Sequence, residues 1–271
     1  KVGLSYESGN GETWYASYAV ANREPVRSDF TDNPITEIPR PERLDNVEAG
    51  IRAQKGNLSY NANFYYMGYK DQLILTGQIN DVGAYIRENV GSSYRAGVEL
   101  DGAVKVSPKW TLGGNLAFSR NKIEEFTEYV DDYAAEEFQQ EAFTYTDTDI
   151  AFSPKVVGSA IIDFRPVKNM EISLMSKYVD DQYLDNTQND GRKLDAYYTQ
   201  DIRLTYAIRP RFVKALEFNV KVNNVFNEKY EPNGYTFSYF VPGDAGRELI
   251  TENYYYPMAG TNFMAGVKVK F

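Results

Sequence analysis

The sequence predicts an all-β fold, a transmembrane antiparallel β-barrel of long strands, and three observations carry that prediction. Apolar and polar residues alternate with a period of two in one segment after another, the signature of strands whose two faces meet different surroundings. The connections between these segments alternate between tight turns and long loops, as in barrels with short turns at one rim and large loops at the other. Aromatic content is high, with 23 Tyr, 15 Phe and 2 Trp. Tyrosine joins an apolar ring to a hydroxyl that seeks water, which suits sheet surfaces beside a membrane interface.

The predicted strands run over 1–8, 12–21, 44–55, 58–76, 82–106, 109–121, 153–165, 170–180, 196–208, 213–226 and 259–271. The first two flank a tight turn at Ser8–Glu12, and the third ends at Lys55–Asn57. In "LSYNANFYYMGY", Leu58, Tyr60, Ala62, Phe64 and Tyr66 share one face, opposite Ser59, Asn61, Asn63 and Tyr65. "VELDGAVKV" sets Val98, Leu100, Val104 and Val106 against Glu99, Asp101 and Lys105. After the turn Ser107–Lys109, "WTLGGNLAFS" opposes Trp110, Leu112, Leu116 and Phe118 to Thr111, Asn115 and Ser119. The span 153–165 closes on the turn Pro166–Asn169, and "MEISLMSKY" then places Met170, Ile172, Leu174 and Tyr178 opposite Glu171, Ser173 and Lys177. "DIRLTY" and "LEFNVKVNN" repeat the rule on either side of Arg209–Phe212. The last strand alternates Phe263, Ala265, Val267, Val269 and Phe271 with more mixed positions.

Alternation of this length argues against a parallel α/β sheet, whose strands are apolar on both faces. The long connections are Asn22–Arg43, the Thr76–Val82 tip, Asn121–Phe152, Asp180–Asp195 and Asn227–Met258. A soluble sandwich can also gather loops at one end, but several of these strands exceed its usual five or six residues. About eleven strands is an odd count where single-chain barrels have an even one. The expectation is therefore that the chain is the C-terminal part of a larger barrel, because two long open edges are prohibitive in lipid.

Composition narrows the function classes. Without histidine or cysteine there is no imidazole general base, thiol nucleophile, disulfide or usual zinc or iron–sulfur ligand set. A formal net charge of −9 gives no overall basic field for nucleic acid. No catalytic, cofactor or metal site is expected, and the substrate-binding residues are not assigned.

Three outer segments hold the candidate functional residues. The span 121–152 contains ten acidic residues interleaved with aromatics. It reads as a solvated outer loop, with or without a short helix or hairpin, or as a mouth in which carboxylates and Tyr129, Tyr133 and Tyr145 select ligand. Divalent-ion binding by these oxygens remains open, but EF-hand spacing is absent. "YVDDQYLDNTQNDGRKLD" gathers Asp180, Asp181, Asp185, Asn186, Asn189 and Arg192 around Tyr183, suited to turn chemistry, to Asp–Arg pairing that orders neighbouring loops, or to ligand contact. In "NNVFNEKYEPNGY", Asn223, Asn224 and Asn227 are expected to satisfy backbone groups where strand becomes loop. Glu99, Asp101, Lys105, Glu171, Lys177, Arg203, Glu217 and Lys221 are expected on the lumen side, since charge facing lipid is costly.

Several segments together resemble the C-terminal half of the barrel of a TonB-dependent outer-membrane receptor of the Bacteroidetes type. They are "NREP" at Asn22–Pro25, "PERLDNVEAGI" at Pro41–Ile51, "YKDQLILTGQINDVG" at Tyr69–Gly83, "FSPKVVG" at Phe152–Gly158, "KYVDDQYLDNTQNDGRKLD" at Lys177–Asp195, "VNNVFNEKYEPNGY" at Val222–Tyr235 and "YPMAGTNFMAGVKVKF" at Tyr256–Phe271. The resemblance implies a 22-stranded barrel filled by a plug, of which residues 1–271 supply the C-terminal part, with the plug and the N-terminal half of the barrel absent from this sequence. It implies an outer-membrane location among lipid and lipopolysaccharide, a small extracellular ligand such as a ferric siderophore, and energy from the TonB–ExbB–ExbD complex acting through the plug. It also implies that Phe271 belongs to a signal for barrel insertion. A receptor for glycan, peptide or cobalamin, a passive porin and a structural barrel are the alternatives. An enzyme is not expected.

Overall fold

The computed structural model describes residues 1–31, 38–80, 82–137, 139–244 and 246–271. Eleven strands follow one another antiparallel in a single open sheet. In order they are β1 (Val2–Glu7), β2 (Glu12–Arg23), β3 (Glu42–Lys55), β4 (Leu58–Ile79), β5 (Tyr85–Lys105), β6 (Trp110–Asp132), β8 (Val156–Phe164), β9 (Met170–Val179), β12 (Tyr197–Ile208), β13 (Ala215–Asn223) and β16 (Asn262–Lys270). These are the eleven predicted spans. The remaining strands belong to the long connections: β7 (Gln139–Asp149) pairs with the upper part of β6, β10 (Gln182–Tyr183) with β11 (Lys193–Leu194), and β14 (Gly234–Gly243) with β15 (Gly246–Tyr255). A five-residue helix, α1 (Arg27–Thr31), lies between β2 and β3.

Cross-strand register carries each apolar face into the next. Ile51 pairs with Ala62, Ala62 with Leu100, Leu100 with Leu116, Leu112 with Ile162, Ile162 with Leu174, Leu204 with Val220 and Val220 with Ala265. A slip of one residue anywhere would turn a whole strand over, so this continuity fixes the register. The apolar face is uncovered: Leu4 is 81% exposed and Phe263 78%. Phe271 continues the parity of Val269 just beyond β16 and is likewise exposed.

Aromatics border this face at both heights. Near the tight turns stand Tyr6, Trp14, Tyr206 and the stacked pair Trp110 and Phe164, with ring centroids 4.3 Å apart. Toward the other end stand Tyr18, Phe118, Tyr178, Tyr198 and the stacked pair Tyr66 and Tyr94, at 5.9 Å. Trp110 and Phe118 are eight residues apart on one strand, or about 26 Å at strand rise. With strands tilted by about 40°, that length gives a band about 20 Å tall, and an exposed apolar band of this size between two aromatic girdles is the outer wall of a membrane barrel.

The opposite face is polar and internally paired. Asn61 donates to Asp101 at 2.9 Å, Lys221 pairs with Asp201 at 2.8 Å, and Arg165 with Glu171 at 2.7 Å. Glu99, Asp101, Lys105, Glu171, Lys177, Arg203, Glu217 and Lys221 all fall on it by register, as their alternation predicts.

The strands differ from expectation at their outer ends. β4 has 22 residues and β6 has 23, roughly twice what a membrane crossing needs. Both therefore project beyond the apolar band and carry hairpins above it. Asp71 and Asp147 adopt φ of 53° and 52°, and the ladder omits the pairings at Asp71 and Asp147. Around these interruptions lies a hydrophobic cluster, Ile74, Val90, Ile123, Phe126 and Ile150 with Tyr145 against it.

Candidate functional site

The outer end is organised around the connection between β9 and β12. Its two-residue ladder β10–β11 closes a loop in which the amide of Leu184 donates to the carbonyl of Arg192 at 2.9 Å. That loop inserts Arg192, which is 3% exposed, between the two outer hairpins. Nη1 donates to Glu128 Oε1 on β6 and to Asp185 Oδ2, each at 2.6 Å, and Nη2 donates to Ser238 Oγ on β14 at 2.6 Å. Burial alone would lower the guanidinium pKa, but Asp185 and Glu128 outweigh it and raise it. The carboxylates are held in turn: Tyr145 donates to Glu128 Oε2 at 3.1 Å, and Thr187 Oγ1 to Asp185 Oδ1 at 2.7 Å. Burial, then the Glu128 charge, pushes the Tyr145 hydroxyl up to about 12.

Neighbouring residues of the same loop reach other elements. Asn186, fully buried, donates to the Leu75 carbonyl of β4 at 2.7 Å and accepts from the Ala151 amide at 2.8 Å. Gln188 accepts from Lys122 Nζ at 3.2 Å and from the Asp149 amide at 3.1 Å. Asn253 of β15 donates to the Gly191 carbonyl at 2.7 Å. A second clasp joins the hairpins directly: Arg247 of β15 lies 2.9 Å from Asp132 of β6 and 2.5 Å from Glu141 of β7, with its guanidinium 4.1 Å from the Phe240 ring centroid. Burial would raise the Asp132 carboxyl pKa, but hydrogen bonds from Arg247, the Ala134 amide and Gln139 outweigh it and hold it below its ordinary value.

A cavity of about 540 Å³ opens beside this network, within the size range of small-molecule sites. Its wall includes Thr76 and Gln78 from β4, Arg87 and Glu88 from β5, Glu125, Glu128 and Tyr129 from β6, Gln140 from β7, Asp185, and Thr236 from β14. Among the described residues no group of three or more acidic side chains is arranged to hold a metal ion.

The sequence-predicted residues separate into four groups. Arg192 and Asp185 do form the expected Asp–Arg pair. Tyr129 and Glu128 reach the cavity, and Tyr145 supports Glu128 from behind, whereas Tyr133 is exposed and packs edge-on against Tyr239 at 6.0 Å. Asp181 pairs with Lys193 at 2.6 Å, Tyr183 donates to Asp190 at 3.2 Å, and Asn189 accepts the Gly191 amide at 2.8 Å, all local turn contacts. Asn224 brackets Glu228, accepting its amide and donating to its carbonyl, each at 2.9 Å, and Asn227 accepts the Thr261 amide at 3.1 Å, as expected of asparagines at a strand end.

Sequence reading missed Ser238 and Thr236, because 227–258 was expected to be loop. The signal was present in "GYTFSYFVPG", where small buried Thr236 and Ser238 alternate with half-exposed Tyr235, Phe237 and Tyr239. Likewise Phe126, Glu128, Val130 and Asp132 are buried at a period of two. Charges on both faces hid that strand.

The profile of a family described as TonB dependent receptor-like, beta-barrel, matches residues 1–225. The chain belongs to this family. Solved structures agree with the receptor-barrel fold. The siderophore receptor PiuA from Acinetobacter baumannii superposes with a TM-score of 0.68 at 17% identity, covering 98% of this chain and 34% of that one. The ferric-catecholate import receptor Fiu from E. coli K12 gives 0.66 at 16%, covering 97% and 33%. The copper transporter OprC gives 0.69 at 16%, covering 98% and 38%. The chain thus spans about a third of the length of these receptors, and its sheet is open as a part of a receptor barrel is. The search of curated proteins finds no match. TonB-dependent receptor barrels lie in the outer membrane, which assigns the uncovered apolar face to lipid, the polar face to the lumen and the Arg192 network to the outer rim.

Proposed function

We propose that this chain is the C-terminal wall and outer lid of a 22-stranded, plugged receptor that takes up a scarce ligand, foremost a ferric siderophore, across the outer membrane. The observation that carries the reading is the cavity at the outer rim, walled in part by hairpins that a buried ion network holds together. A passive pore needs an open path for solute; here three long connections converge over the end of the sheet. The siderophore receptors among the structural neighbours support the cargo class. On this reading the lumenal charges face a plug, the plug couples to TonB–ExbB–ExbD, and lipid and lipopolysaccharide surround the apolar band.

Uptake in a strain deleted for the full-length gene tests it. Loss of growth on a ferric siderophore as sole iron source, restored by the gene only in a TonB-competent background, is the expected outcome. Solute entry that ignores TonB would instead identify a diffusion channel. A second cargo class, a metal ion outside a siderophore, is favoured by the copper transporter among the neighbours, and metal-limited growth separates the two.

A further inference from the structure

Glu128 and Asp185 line the cavity, and both are bonded to one nitrogen of Arg192. The other terminal nitrogen bonds Ser238, whose neighbour Thr236 also lines the cavity. Arg192 itself is not in the wall. It stands behind it, in contact with three segments that are far apart in sequence: the β6–β7 hairpin, its own loop and the β14–β15 hairpin. Two carboxylates buried around a single guanidinium cannot part from it separately without leaving an uncompensated charge in a desolvated place. Gln188 and Asn253 join the same three segments at points on either side, and Asn186 ties the Arg192 loop to Ala151 just past β7 and to the Leu75 carbonyl of β4, the post on which the assembly rests.

From this geometry we infer that Arg192 is the positioning residue of the outer chamber, fixing its acidic wall and making the three outer segments move as one rigid lid. The inference rests on the uptake reading for the word lid, while the rigid coupling stands on the contacts alone. The two hairpins need not be hinged at their own bases. An opening that admits ligand carries β6–β7, the Asp180–Asp195 loop and β14–β15 together, and the relative positions of Glu128, Asp185 and Thr236 are the same in the open and closed chamber.

The experiment uses the full-length receptor in lipid nanodiscs, with nitroxide labels on Ala142→Cys in β7 and Leu249→Cys in β15, both exposed and neither in the cavity wall. The expected result is one narrow distance distribution, unchanged by addition of a ferric siderophore. Arg192→Met broadens it and accelerates amide exchange over 182–194 and 234–255 together, on the order of tenfold. Arg192→Lys, which keeps a cation between the carboxylates, restores most of the narrow distribution. Ser238→Ala, a mild change that leaves the ion pairs intact, accelerates exchange in β14–β15 only. A broad distribution in the native receptor, or faster exchange confined to the Arg192 loop in Arg192→Met, overturns the proposal. Because the width of the native distribution and the exchange pattern are both read before ligand is added, failed uptake with a narrow native distribution refutes the transport reading and leaves the rigid coupling standing.

Discussion

The spanning sheet and the outer assembly are built on opposite principles. In the sheet, each strand pairs with its barrel neighbours, one face is apolar and uncovered, and the pattern repeats eleven times. No single side chain decides it, because lipid on one side and water on the other select the same alternation everywhere. In the outer assembly, by contrast, side chains are buried against particular partners, and many are charged: Glu128, Asp132, Asp149, Asp185 and Arg192 are each less than a tenth exposed. The lesson is that one chain can be robust where solvent enforces the fold and fragile where particular partners do.

The largest expected break in that contrast comes from removing one partner of the central ion cluster. Arg192→Ala leaves Glu128 and Asp185 facing each other in a buried place, an expected loss of about 3–5 kcal/mol from the outer assembly. Limited proteolysis of outer membranes should then cut within 182–255 while the barrel band stays heat-resistant on gels. Loss of the barrel itself would show that the two regions are not separable.

Next in size is a charge placed on the lipid side. Leu100→Arg, on the exposed apolar face, is expected to cost about 2–4 kcal/mol near mid-bilayer, measured by urea unfolding in liposomes. The adjacent Asp101→Asn, on the lumenal face beside Asn61, should differ little from the native protein. Equal costs at the two positions would reverse the assignment of faces.

Asn186→Ala deprives the Leu75 carbonyl and the Ala151 amide of their side-chain partner, a loss of about 1–3 kcal/mol visible as faster exchange at Ala151. The exposed pair Arg43–Asp45, 2.9 Å apart on the sheet, should by contrast contribute about 0–1 kcal/mol in a double-mutant cycle.

The pH dependence sharpens the comparison most gently. Tyr145 has its folded pKa raised to about 12, above about 10 for the unfolded chain. Its contribution is therefore complete below pH about 10 and is lost as pH rises through about 12. Tyrosinate absorbance of Tyr145→Phe against the native receptor isolates the step; a difference appearing near neutral pH would exclude this origin.

These regions were also unequally legible. All eleven sheet strands follow from period two, and the lumenal face from the charges that alternate with Val98, Leu100 and their like. The outer hairpins obey the same period, yet β6 beyond Asn121 buries Glu128 and Asp132 on the same face as Phe126 and Val130, so the charges mask which face is inside. The Asp185–Arg192 pair could be anticipated because both residues lie in one loop. Glu128 and Ser238 could not, since they are 64 and 46 residues from Arg192 and only the register of the sheet brings them near. Their role is written in topology, which local patterns do not record.

The triple anchoring of Arg192 bears on how such a receptor can change over generations. Surface loops are usually exchanged one at a time, since each is tolerated on its own scaffold. Here a donor loop replacing 180–195 alone would leave Glu128 and Ser238 without their partner, and replacing either hairpin alone would strand the guanidinium. Diversification of the surface should therefore proceed by inheritance of the three segments as a set, and chimeras designed to alter what the receptor admits should transplant them the same way.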